Sequence, residues 1–113
     1  MTTQLIKFRI SEVVSSETQE YQHYTPPAGS SFEILDFVAE ANYTQNSEVR
    51  VVWDYEGQNE EYLWTIKGSG RMDARIFIDA EEVDGVKKLA LICDNGELNQ
   101  NTMSAYMAVE VSS

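Results

Sequence analysis

Apolar side chains return at every second position in one segment after another along this chain, a spacing that commits them to extended strands with one buried face. Ile6, Phe8 and Ile10 share one side of the first segment, with Lys7 and Arg9 on the other. Residues 48–56 (EVRVVWDYE) set Val49, Val51, Trp53 and Tyr55 against Arg50, Val52, Asp54 and Glu56. After Gly57-Gln58-Asn59 the alternation resumes in Tyr62, Trp64 and Ile66, which predicts a β-hairpin with Trp53 and Trp64 on the same sheet face. Leu89, Leu91 and Cys93 oppose Ala90 and Ile92 in a further strand. Met103, Ala105, Met107, Val109 and Val111 then alternate to the C-terminus.

The remaining segments fit the same scheme. Residues 18–25 (TQEYQHYT) are polar but rich in β-formers and read as an edge strand, with Tyr21 and Tyr24 on opposite faces. Pro26-Pro27-Ala28-Gly29 ends it, because two prolines remove backbone donors and the glycine permits a turn. In residues 31–43 (SFEILDFVAEANY) the spacing of Phe32, Leu35, Asp36 and Ala39 also suits a helix, but strand is preferred. Leu35, Phe37, Ala39, Ala41 and Tyr43 would line one face and Phe32, Ile34 and Val38 the other, as in a strand covered on both sides near one end. Gly68-Ser69-Gly70 breaks the chain before a short strand over residues 75–80, and Asp84-Gly85 and Asp94-Asn95-Gly96 mark two further turns. About eight short strands at near-regular spacing predict an all-β fold: an antiparallel β-sandwich, jelly-roll-like or another Greek key, in one domain spanning residues 1–113.

Charge narrows the partners. Nineteen acidic against eight basic side chains give a formal charge of −11, which repels nucleic-acid phosphates and anionic lipid surfaces. Apolar stretches such as residues 89–93 fall far short of the ~20 residues a spanning helix needs. Neither nucleic acid nor membrane is therefore an expected partner. Met1-Thr2-Thr3-Gln4 leads straight into the first strand without the features of a signal peptide, so folding in a cytoplasm is the expectation. The single cysteine, Cys93, cannot form an intrachain disulfide and agrees with a reducing compartment.

Catalytic and metal chemistry find little support. His23 and Cys93 are too few for a zinc site, and Asp79, Glu81, Glu82 and Asp84 do not follow the order of a calcium loop. A Cys93–His23 dyad is the one nucleophile–base pair available, but Cys93 lies in an apolar strand where thiols are inert packing. No cofactor cradle is present, since neither phosphate-binding glycine pattern occurs. Asp54, Glu56, Glu60 and Glu61 gather around one hairpin and read as a solubilising tip rather than a hydrolytic pair. The chain is expected to be no enzyme.

Binding residues are sought instead among the rings and the polar edge. Tyr55 and Tyr62, if they project outward from the hairpin, could stack on sugar rings or anchor a protein interface. On the edge strand, Gln19, Gln22 and Tyr24 would set specificity for a partner strand held by main-chain hydrogen bonds.

Four segments carry a family resemblance: Tyr24-Thr25-Pro26-Pro27-Ala28-Gly29, Phe32-Glu33-Ile34, residues 51–57 (VVWDYEG) and residues 83–89 (VDGVKKL). With its Pro-Ala-Gly turn before an apolar strand and its late Asp-Gly turn followed by Lys-Lys-Leu, the chain resembles small tailed-bacteriophage virion proteins. That resemblance implies a head decoration, tail or fibre-associated protein that self-associates, as a trimer by analogy, and docks onto other virion proteins. It further implies a location in the virion after folding in the bacterial host cytoplasm. A carbohydrate-binding sandwich using exposed aromatics is the alternative.

Overall fold

Nine antiparallel strands form in the computed structural model, which describes residues 2–113. They are β1 (Thr3–Val14), β2 (Thr18–Tyr24), β3 (Ser31–Ala41), β4 (Ser47–Trp53), β5 (Glu61–Lys67), β6 (Gly70–Arg71), β7 (Ile76–Ile78), β8 (Leu89–Asn95) and β9 (Asn101–Ser112), with one 3-10 turn at Ala80–Glu82. One sheet has the order β1-β9-β3-β6, with β7 also on β3; the other has the order β2-β8-β4-β5. The expected antiparallel sandwich is thus present, and β6 and β7 share the single strand position beside β3. β1 and β9 pair over their whole lengths, twelve residues each, and this long ribbon, at about 3.3 Å per residue, accounts for most of the 46 Å principal extent.

The two inner faces meet in one core. Phe8, Ile10 and Val14 come from β1, Phe32, Ile34 and Phe37 from β3, and Val49, Val51 and Trp53 from β4. Leu89, Leu91 and Cys93 enter from β8, with Met103, Met107 and Val109 from β9, as their alternation predicts. Trp53 and Trp64 do share the inner face, Trp53 fully buried and Trp64 at its rim.

Backbone irregularities overturn three details of the simple alternation. A register shift between Ile34 and Asp36 leaves Leu35 as an extra residue, so Phe32 and Ile34 before it and Phe37 and Ala39 after it all face the core. The apolar residues that seemed to line both faces of β3 are therefore mostly one face, stepped by a bulge. A second shift opposite Val51 and Val52 makes Leu63 the extra residue of β5, so that Tyr62 does not share a face with Trp64 and Ile66 but lies opposite Val52. Finally Asp54 takes a left-handed conformation (φ 60°) and ends β4 after Trp53, so Tyr55 does not continue the Val49-Val51-Trp53 face.

At the end of the sandwich remote from the termini, three loops are tied by a buried polar cluster that periodicity does not reveal. Asn95 donates through Nδ2 to the carbonyls of Val14, Ser15 and Asn99 at 3.0 to 3.1 Å, joining residues 15–17 to residues 96–100. Asn101 donates to the Tyr43 carbonyl and to Ser47 Oγ, both at 2.8 Å, and accepts from the Tyr43 amide at 3.0 Å. Glu97 accepts the Asn46 amide at 2.6 Å, which fastens residues 42–46 to the same knot.

Cys93 is fully buried on the inner face, and burial, with the nearby charge of Glu20, pushes its thiol from 9.0 up to about 12. Native protein is therefore expected to resist a thiol-specific reagent at pH 8 and to react stoichiometrically once unfolded in urea; rapid native labelling would contradict this burial. The unfolded thiol ionises first, so stability falls as pH rises from about 9 toward 12, by up to about 1.4 kcal/mol per pH unit.

Candidate functional site

Two bends in the chain build an aromatic surface on the outer face of the β2-β8-β4-β5 sheet. Val52, Ala90 and Ile92 form a small second cluster there, fully or nearly fully buried, with Tyr55 packed against it. Tyr55 reaches this position because the left-handed Asp54 turns the chain back, and its amide is fixed to the Lys88 carbonyl at 3.1 Å. Tyr21 stands beside it, ring centroids 5.4 Å apart at 51°, and His23 stacks on Tyr21 at 6.0 Å and 19°. Tyr62 is 59% exposed and covers the Arg50 guanidinium at 5.2 Å.

Arg50 supplies the surface with a fixed cation. Its Nη1 donates to Asp94 at 3.0 Å and to Glu48 at 3.1 Å. Burial pulls its pKa down, but the bonds to Asp94 and Glu48 outweigh that and hold it above its ordinary value, so Arg50 stays charged at any working pH. Its Nε has no partner among the described residues. Burial, joined by the charge of Glu56, raises the Tyr55 hydroxyl, which consequently remains a neutral donor well into alkaline solution.

The residues sought on β2 separate into different roles. β2 is an edge strand as expected, but Gln19 faces outward with Tyr21 while Gln22 and Tyr24 lie on the opposite side, so the three do not form one row. Tyr24 packs against the main core. Gln22 spans the open side of the sandwich: its Oε1 accepts the Arg9 amide at 3.0 Å and its Nε2 donates to the Arg9 carbonyl at 2.6 Å. It thereby occupies part of the free edge of β1 and links the two sheets. Beside it an open seam of about 530 Å³ runs between Ile6, Lys7 and Phe8 of β1 and Tyr21 to Tyr24 of β2.

The pairs considered for chemistry are kept apart. Cys93 points inward while His23, opposite Ala90, points outward. Asp79 and Asp84 bind their own loop, Asp79 accepting the Glu81 amide and Asp84 those of Val86 and Lys87 at 2.8 and 2.9 Å. Gly85 beside it has the positive φ, 81°, expected of the Asp-Gly turn. Among the described residues no cluster of three or more histidine, cysteine, aspartate or glutamate side chains is placed to hold a metal.

No protein-family model matches the sequence, and no curated protein does either. Solved structures do resemble it. A chain of Sulfolobus Turreted Icosahedral Virus superposes over 99% of this one with a TM-score of 0.59 at 11% identity. A chain of infectious bursal disease virus, Gt strain, does so over 97% with a TM-score of 0.58 at 9% identity. The present chain spans about a third of those viral chains, 30% and 32%. A chain of the disulfide-linked pili that form Bacillus endospore appendages matches over 98% of this one and 88% of its own length, with a TM-score of 0.55 at 12% identity. At such identities the likeness is one of fold.

Proposed function

We infer that this chain is a non-catalytic structural component of a virion, which works by self-association and by docking onto other virion proteins. The observation that carries the reading is topological. Strands β1, β9, β3 and β6/β7 face β2, β8, β4 and β5, an order that supports the jelly-roll reading, and the two viral chains superpose on 97% or more of the sequence. The pilus chain, matched at nearly full length, points the same way, toward a sandwich used as a building block. A tailed phage, with the protein as decoration or tail-associated subunit folded in the host cytoplasm, is the specific form suggested by the turn motifs. Since fold alone does not dictate function, the reading rests on assembly behaviour for its test.

A carbohydrate-binding module is the second reading, favoured by the placement of Tyr21, Tyr55 and Tyr62 on one sheet face. The 51° tilt between Tyr21 and Tyr55 argues against a flat sugar platform, which wants coplanar rings. Light scattering over a wide concentration range discriminates between the two. A trimer or larger closed ring is expected; a monomer throughout would overturn self-association and make glycan binding, lost in Tyr62→Ala, the reading to pursue.

A further inference from the structure

A groove lies on the outer face of the β1-β9-β3-β6 sheet, away from the aromatic surface. It has a volume of about 650 Å³, and Tyr106, Val38, Ser104 and Ser69 are among its lining residues. Arg9, directly opposite Tyr106 on β1, lays its guanidinium 5.1 Å from the Tyr106 ring. Arg71 enters from β6, and Glu40 is the one carboxylate in the lining. Arg71 is 3.5 Å from Asp36, but among the described residues Arg9 has no acidic partner. With Arg71 paired to Asp36, the cation this groove offers without an acidic partner among the described residues is Arg9, on a chain of charge −11.

The complementary feature is the tip joining β4 to β5, on the other sheet. It carries Asp54, Glu56, Glu60 and Glu61, and its shape is fixed from within. Asp54 and Glu56 are both left-handed, at φ 60° and 63°, a conformation that costs about 1–2 kcal/mol for a residue with a side chain. Internal bonds hold it: Asp54 accepts the Asn59 amide at 3.1 Å and Glu60 accepts the Glu56 amide at 2.8 Å. A Cβ on Gly57 would collide with the Asp54 carboxylate, so the tip closes tightly on itself. The carboxylates of Glu56 and Glu61 take no part in those internal bonds, and that of Glu56 lies 3.7 Å from Lys88 Nζ.

Resting on the self-association reading, we propose that the acidic β4–β5 tip of one copy docks in the Arg9–Arg71 groove of the next. The patches are different and belong to different sheets, so the contact is heterologous. It generates a closed ring when the rotation between copies closes and a filament when it does not. A tip already rigid in the free protein loses little entropy on docking, and desolvated guanidinium–carboxylate pairs set the register.

A charge swap tests the contact, because two copies of charge −11 also repel, which leaves simple salt dependence ambiguous. Arg9→Glu with Arg71→Glu changes the groove, and Glu56→Lys with Glu61→Lys changes the tip without touching the carboxylates that brace it. Each double variant is expected to weaken assembly at least about tenfold by sedimentation and light scattering, and the chain carrying all four changes, in which every contact is swapped alike, to recover it. Circular dichroism checks folding, and the single changes Arg71→Glu and Glu61→Lys, both at exposed positions, decide the matter should a double variant misfold. Assembly of either double variant at wild-type affinity, or a folded fourfold variant that does not recover it, would overturn the groove contact while leaving self-association standing. A monomeric wild type would overturn both.

Discussion

Trp53→Ala is expected to lower unfolding free energy by about 3–5 kcal/mol, and Trp53→Phe by much less. Trp53 is 3% exposed, closes β4 opposite Leu89, and tilts at 60° against Phe32 with ring centroids 5.0 Å apart. Alanine leaves a cavity among residues already locked by two sheets, which cannot collapse into it. Phenylalanine also leaves a gap, but it removes the indole Nε1, a buried donor with no partner in this protein. Leaving such a group unsatisfied costs about 1–3 kcal/mol, so its deletion offsets much of the lost packing. Urea unfolding followed by circular dichroism gives both values. Equal losses for the two variants would mean that the indole nitrogen is satisfied and that ring size alone governs the site. Because Trp53 immediately precedes the left-handed Asp54, the alanine variant should also loosen the β4–β5 tip and weaken assembly beyond its effect on folding.

The strand positions were legible because period-two alternation is the direct signature of a half-buried sheet, and it survives in every long strand except where the chain adds a residue. Leu35 and Leu63 are such residues, and nothing in their identity announces a bulge; only the partner strand's register exposes it. Asp54 is a similar case, since aspartate tolerates left-handed backbone but seldom demands it. These local steps decide which tyrosines face outward, so the aromatic surface of Tyr21, Tyr55 and Tyr62 could be suspected from composition but not assembled from spacing. Gln22 illustrates another limit. A glutamine on a polar edge strand suggests a partner outside the molecule, whereas its amide is spent on the Arg9 backbone. The groove around Tyr106 was invisible for a different reason: Arg9, Tyr106 and Arg71 are far apart in sequence and meet only through the order of the strands.

The polar knot at the other end carries the second large effect, and Asn95→Leu is expected to cost about 4 kcal/mol. Asn95 and Asn101 are fully buried, and leucine approximates the shape of asparagine, so the loss reads hydrogen bonding rather than volume. Three carbonyls at Val14, Ser15 and Asn99 lose their common donor, while the Glu97 amide, 3.1 Å from Oδ1, loses its acceptor. Each unsatisfied buried group costs about 1–3 kcal/mol, but the Ser15 carbonyl still accepts from Thr18 Oγ1 at 2.8 Å and water enters at the loop end, which keeps the total below the simple sum. Asn95→Asp should be no rescue, because it keeps the acceptor but sets a carboxylate against three carbonyl oxygens. Ser47 Oγ lies 2.8 Å from Asn101 Nδ2 and 3.4 Å from Asn95 Oδ1, so the two asparagines share a partner and their substitutions should combine non-additively in a double-mutant cycle. Amide hydrogen exchange supplies the local readout: Asn46 and Glu97 should lose protection in Asn95→Leu before the β1–β9 ribbon does. A loss under about 1 kcal/mol with protection unchanged would show that the loops are held by backbone pairing alone.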